Sequence, residues 1–415
     1  MLRLESVNLV AKALKLFPAI GNNLAPGAPH TFVLATQGEG LLELESVGIE
    51  GIHTKISIRS VDTLMGSVYL LPFAETREVL EKLESNYALQ IYNQAGANVF
   101  DTYIEVVNNQ PQILDSTIVS AFSGAIDEFI LPCLVEHPVE FKSQTIATAE
   151  LLTRADKYGD YQVRVGGDRA VLLTVTDGHL IVYAVPQNAP NFYLKQELKV
   201  FGGNAENSQP IVILGCHLMA IVNILSTLES DTIEWQLRSN YLTVTCGGNQ
   251  VTIPLQDIDR FAYLKPISSY FDPDAIGDLV ASYRLPLGRS IAAVKAQQPT
   301  RSNQRFLKIQ DVASGLQLGK LGDLLGREWS AIELFDRQII QPLPTVVIGS
   351  PALLKSLVVL DTYAKKSQLD YDLQLEFYAK SIGARQRWIA KIGFHTYTPM
   401  SSLPTMLGSI NIEST

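Results

Sequence analysis

Three times along this chain a short apolar run meets Pro or Gly and the hydrophobic period then changes. Val68-Tyr69-Leu70-Leu71-Pro72 leads into 73–85, the run 210–215 leads into 216–230, and the run 344–349 leads into 350–364. An apolar run of this length reads as a buried strand, and the 3.6-residue spacing after it reads as an amphipathic helix. The last two runs share Pro-x-Val-apolar-apolar-Gly, as Pro210, Val212, Gly215 and Pro344, Val346, Gly349. The offsets, 215 − 72 = 143 and 349 − 215 = 134, have the size of a domain.

The positions around each run repeat as well. Val7, Val10, Leu14 and Phe17 predict a first helix that Pro18 ends, followed by alternating strands over 31–36, 41–45 and 53–58. Segments 89–92 and 99–106 then predict a hairpin. The second copy predicts a helix over 147–158, with Leu151, Leu152 and Ala155 inward. Its strands fall at 170–176 and 180–185, around Asp177-Gly178, and at 233–237, 242–245 and 251–255. In the third copy 306–309, 369–377 and 388–392 predict strands. Its first helix falls within 274–296, where Pro286 and Gly288 break it. The stretch 110–134 reads as an insertion, and 297–304 as an exposed loop. The units expected are 1–138, 139–263 and 264–415.

Composition narrows the class. Hydrophobic residues make up 47%, enough for several cores. The net charge of −9 excludes a uniformly basic nucleic-acid binder but allows a local basic face. Cys133, Cys216 and Cys246 form no CxxC pair, which fits a reducing cytoplasm. Glu5 stands where a signal peptide needs an apolar core. The run 211–228 is long and apolar, but Gly215, His217 and Asn223 interrupt it, so a strand followed by a helix is expected rather than a membrane span. Lys12 and Lys15 project from the polar side of the first helix, and 142 residues on stand Arg154 and Lys157. Arg289 is the nearest counterpart in the third copy.

Catalytic chemistry finds little support. Gly315 to Lys320 falls one residue short of a phosphate loop, and Leu321 stands where a Ser or Thr is required. Asp272 to Gly277 opens like a calcium loop, but Ile276 cannot ligate. The six histidines form no His-x-x-x-His pair, and no nucleophile elbow occurs. No enzyme activity, metal or cofactor is expected.

Several motifs together resemble the bacterial sliding clamps, the beta subunit of DNA polymerase III. Val139-Glu140-Phe141 resembles that family's opening strand, and Thr176-Asp177-Gly178-His179 before Leu180 and Ile181 resembles its hairpin. Gly40 to Leu44 with Gly48-Ile49-Glu50 resembles its first-domain pattern, and Tyr397-Thr398-Pro399-Met400 its chain end. Leu180 replaces the family's Arg, and Gly48 its Asp. Gln256 stands for the Pro of the link to the third domain, and the chain runs 15 residues past Met400 (415 − 400).

The resemblance implies an α+β fold: three tandem copies of a clamp-type domain, with helices on one face of antiparallel sheets. It implies a ring of two chains, a homodimer, around duplex DNA in the cytoplasm. Lys12, Lys15, Arg154, Lys157 and Arg289 would face the DNA. A cleft of Thr176, Gly178, His179, Leu180, Ile181, Phe261, Thr398, Pro399 and Met400 would take short apolar peptides from DNA polymerase and the clamp loader, with the tail 401–415 lying over it. The alternative reading is a clamp-fold scaffold of a plasmid, phage or defence system that no longer encircles DNA.

Overall fold

The computed structural model describes residues 2–4, 7–17, 32–38, 40–59, 68–82, 87–95, 100–108, 113–122, 138–159, 169–185, 192–203, 210–227, 230–261, 263–264, 267, 276–297, 306–320, 329–367, 371–383, 385–395 and 403–412. The first repeat runs β1 (Leu2–Leu4), α1 (Val7–Leu14), β2 (Phe32–Gly38), β3 (Leu41–Val47), β4 (His53–Arg59), β5 (Val68–Pro72), α2 (Phe73–Lys82), β6 (Tyr87–Ala95), β7 (Phe100–Asn108) and β8 (Ile113–Phe122). The second runs β9 (Val139–Gln144), α3 (Thr145–Gly159), β10 (Ala170–Thr176), β11 (His179–Ala184), β12 (Phe192–Lys199), β13 (Ile211–Leu214), α4 (Gly215–Leu225), β14 (Thr232–Leu237), β15 (Tyr241–Cys246) and β16 (Asn249–Pro254). The third runs β17 (Asp278–Leu285), α5 (Leu287–Ala296), β18 (Phe306–Val312), β19 (Gly315–Lys320), β20 (Ser330–Ile332), β21 (Asp336–Ile339), β22 (Val346–Gly349), α6 (Ser350–Ser367), β23 (Leu373–Ile382), β24 (Arg385–Phe394) and β25 (Thr405–Ile412).

Strand order repeats with the sequence. One antiparallel run appears as β1-β6-β7-β8, β9-β14-β15-β16 and β17-β23-β24-β25. The other appears as β5-β2-β3-β4, β13-β10-β11-β12 and β22-β18-β19-β20. The repeats are joined edge to edge. β4 pairs β16, with Thr54 opposite Val251, and β12 pairs β25, with Tyr193 opposite Leu407. Each junction therefore makes one continuous sheet from two repeats. The third repeat adds β21, which pairs the outer edge of β17. The second repeat has a single bridge at the matching place, Lys142 to Phe201.

Burial follows the strand and helix periods. Leu42, Leu44 and Ser46 of β3 face inward while their neighbours are half-exposed. Helices pack in pairs, α1 on α2, α3 on α4 and α5 on α6, over the sheets. In the second repeat Trp235 stacks on Phe141 with centroids 5.5 Å apart, and its Nε1 donates to Ser143 Oγ at 2.8 Å. That bond satisfies an indole N–H that would otherwise be buried unpaired.

Four expectations need correction. Pro286 does not break the third repeat's first helix: it precedes Leu287, where a missing N–H costs nothing, and Gly288 lies inside the first turn. Part of the supposed insertion 110–134 is β8, the fourth strand of its sheet. The supposed tail 401–415 contains β25, which pairs β24, β12 and β22 and buries Met406 and Leu407. Finally, Arg154 and Lys157 are not the counterparts of Lys12 and Lys15. The buried set Val10, Ala13, Leu14 and Phe17 matches Thr148, Leu151, Leu152 and Ala155 at an offset of 148 − 10 = 138. It also matches Leu287, Ser290, Ile291 and Val294 at 287 − 10 = 277. The position of Lys12 is therefore held by Glu150 in the second repeat and Arg289 in the third. The 142-residue offset is one helical turn too long.

Candidate nucleic-acid interface and peptide cleft

The predicted cations lie on the first helix of each repeat or just beyond it, and the structure separates them into two groups. Lys12, Lys15 and Lys157 are exposed. Arg154 is half-buried, its guanidinium 4.7 Å from the centre of the Tyr363 ring and 3.6 Å from Glu150. Burial draws its pKa below the ordinary arginine range, against the pull of Tyr363 and Glu150. Arg289 is exposed but pairs with Glu333 at 2.8 Å.

Arg154 belongs to the seam where α3 meets α6, between the second and third repeats. There Lys366 donates to Glu150 at 2.5 Å, Tyr158 Oη lies 3.2 Å from Ser356 Oγ, and Lys355 Nζ sits 5.6 Å from the Tyr158 ring centre. Tyr158 is fully buried, which pushes its phenol well above the usual range. The seam between the first and second repeats is held differently. His217, fully buried near the start of α4, accepts from the Leu214 N–H at 3.3 Å through Nδ1 and donates through Nε2 to the Glu50 carbonyl at 3.3 Å.

The predicted cleft residues are also divided. β10 and β11 form a hairpin whose turn residues, Asp177 (φ 50°) and Gly178 (φ 72°), both adopt positive φ, as a two-residue turn of right-handed twist requires. Thr176 pairs His179 across the turn, and His179 Nδ1 donates to the Asp177 carbonyl at 2.9 Å. Ile181 joins Phe261, Tyr183, Tyr193 and Leu264 in an apolar cluster on the sheet face turned away from the helices. Leu180 does not. It is 1% exposed and faces the opposite way, into the core beneath the helices. Strand alternation alone separates Leu180 from Ile181, so Leu180 cannot wall a cleft with its neighbour. Thr398, Pro399 and Met400 lie outside the described residues.

Sequence reasoning named Phe261 beside Ile181 but missed the rest of what covers it. Phe261 packs edge-on to Tyr263 at 6.1 Å, and the Tyr263 hydroxyl accepts from the Ala170 N–H at 2.7 Å. Ile389 of β24 and Leu407 of β25 close the cluster from the third repeat. The period-two pattern of β24 and β25 was the available signal, but the pairing of β12 with β25 joins residues more than 200 positions apart.

Elsewhere the run Gly315 to Lys320 is β19, a paired strand rather than a phosphate-binding loop. Within the segment 211–228, Ile211–Leu214 is β13 and Gly215–Leu225 is α4, and among the described residues no helix is long and apolar enough to cross a membrane.

Three repeats of this topology, joined edge to edge with paired helices, define the sliding-clamp fold. Solved structures match along the whole chain. The DNA polymerase sliding clamp of Bacillus subtilis superposes with a TM-score of 0.70 at 13% identity, covering 99% of each chain. DNA polymerase III subunit beta of Pseudomonas aeruginosa gives 0.67 at 12%, and the Helicobacter pylori beta clamp, solved with 5-chloroisatin, gives 0.69 at 11%, again covering 99% of each chain. No family model matches the chain, and no curated protein matches it in sequence. The shared property is the fold.

Proposed function

We propose that this chain is a DNA sliding clamp, a non-enzymatic ring of two copies that encircles duplex DNA in the cytoplasm. The observation that carries this reading is the pattern of joined and open edges. β4 joins β16 and β12 joins β25, while their counterparts β20 and β8 end their sheets among the described residues. These open edges are the two halves of the same junction. A second copy can supply β8 to β20 and β20 to β8, closing both ends at once. The match to clamp structures over 99% of the chain supports the same architecture.

Each chain then consists of three domains, with limits near 138 and 263. Lys12, Lys15 and Lys157 are the cations that would meet phosphate. Such contacts read no sequence and exchange with salt, so they centre DNA without locking it. Retention comes from closure, and the net charge of −9 leaves the rest of the surface unattractive to DNA. DNA polymerase and the clamp loader would dock short apolar peptides at the hairpin end, where Thr176, Gly178 and His179 adjoin Ile181 and Phe261, with Thr398, Pro399 and Met400 completing the site.

Loading on nicked circular DNA tests the reading. A ring stays bound through high-salt washing and is released when the circle is linearised. Release from the closed circle at the same salt would refute encirclement. One observation favours a clamp-fold scaffold that no longer encircles DNA: Arg154 and Arg289 are engaged with acidic partners, and Glu150 holds the place of Lys12. That alternative predicts no topological retention.

A further inference from the structure

The exposed cations of the helices are not spread evenly along them. Lys12, Lys157 and Lys295 stand in the last turns of α1, α3 and α5. The Lys15 N–H bonds the Lys12 carbonyl at 3.2 Å, which carries the last turn of α1 one residue further. All four lysines are exposed, and none enters an ion pair among the described residues. They share a turn rather than an aligned position: by the burial alignment Lys295 matches Asp156, the half-buried neighbour of Lys157 (295 − 156 = 139). The second helices differ. α4 has no Asp, Glu, Lys or Arg, and α2 has three acids against two cations. On α6, Lys365 is held by Asp361 at 2.7 Å and Lys366 by Glu150 at 2.5 Å, while Lys355 rests over Tyr158.

Helix direction sorts these ends. At the seam between the second and third repeats Glu150 meets Lys366, Arg154 meets Tyr363 and Tyr158 meets Ser356, so α3 and α6 run antiparallel. The end of α6 thus lies beside the start of α3, away from Lys157. The junctions β4–β16 and β12–β25 use the same pair of edges. On the ring reading proposed above, one junction repeated at every step is a rotation about one axis, and closure allows no rise along it. The ends of α1, α3 and α5 then stand at one level of the channel, and those of α2, α4 and α6 at the other. From this we infer that phosphate contact is confined to one end of the channel, at a collar of Lys12, Lys15, Lys157 and Lys295 from each copy, and that the other end encloses DNA without gripping it. Lys295 is thereby a DNA contact, and Arg289, held by Glu333, is not. The helix dipole favours a cation at any helix C-terminus, so position alone does not make the collar. Net charge makes it: a cation already neutralised by its neighbour adds little to the field that a phosphate meets.

The experiment measures binding of the full chain to a fluorescent linear duplex of about 30 bp by anisotropy, at salt from about 50 to 200 mM. Each phosphate neutralised contributes about 0.9 to the slope of log affinity against log salt. Every substitution acts in both copies, so Lys12→Gln, Lys15→Gln, Lys157→Gln or Lys295→Gln alone should reduce the slope by about one to two. The four together should weaken binding at low salt by at least about tenfold. At the far end K365Q/D361N removes a cation together with its partner, and should leave slope and affinity as in wild type. No binding of wild type at low salt, a slope that ignores the collar changes, or an equal fall in K365Q/D361N would overturn the collar while leaving the ring intact. A wild-type chain that washes off the nicked circle at high salt would overturn the ring reading and the collar together.

Discussion

Acid should loosen the contact between the first and second repeats through one side chain, His217. Its Nε2 lies against a carbonyl, which can only accept, so the proton sits there; Nδ1 must then keep its lone pair for the Leu214 N–H. A second proton on Nδ1 would set one N–H against another in a site with no exposure. Burial accordingly holds the imidazole down to about 4, with the Glu50 carbonyl opposing part of the shift. In the unfolded chain the same group titrates near ~6.5. Above that value it is neutral in both states, and its contribution to stability is fully present. As pH falls, the unfolded chain takes a proton that the folded chain refuses, at about 1.4 kcal/mol per pH unit. The loss is complete once pH passes through the folded value and amounts to roughly 3 kcal/mol. Urea unfolding at pH 7 and pH 4.5, compared between wild type and His217→Gln, isolates it, because every carboxylate titrates in both proteins. Wild type should lose roughly 2.5 kcal/mol more than the variant over that interval. Parallel losses would refute the buried neutral imidazole.

Trp235→Ala removes a stacked, hydrogen-bonded core ring and should cost about 3–5 kcal/mol, read as a lower unfolding midpoint in urea. Deleting 405–415 should abolish cooperative folding of the third repeat rather than change peptide affinity, since β25 joins three neighbours; a truncated chain with native circular dichroism and an unshifted melting temperature would refute this. Gly203→Ala should destabilise the chain by more than 1 kcal/mol, because Gly203 has φ 97° and a Cβ there would run into the Glu140 carbonyl; an unchanged thermal midpoint would contradict that packing.

Much of the repeat was legible before any coordinates. Pro-x-Val-apolar-apolar-Gly marks β13–α4 and β22–α6 because an apolar run of four residues and a 3.6-residue stripe can each be buried in only one way. Asp177-Gly178 fixes its hairpin because the turn demands positive φ at both positions. The candidate site was less legible. Counting residues between like charges put Arg154 one helical turn from its true counterpart, since spacing carries no record of which face is buried. Period two in β11 was enough to place Leu180 and Ile181 on opposite faces, and the resemblance alone had put both in the cleft.

What the sequence determined by itself is therefore local: where strands and helices begin, which side of each is apolar, and that one unit occurs three times. Tertiary structure alone decided which edges meet. β25 became a structural strand and not a tail because β12, more than 200 residues earlier, offers the edge it pairs with. Arg154 became a seam residue because α6 brings Tyr363 over it. Backbone pairing between distant edges depends on register and twist, which no local pattern encodes, and it is this pairing that assigns each exposed charge to a seam or to solvent.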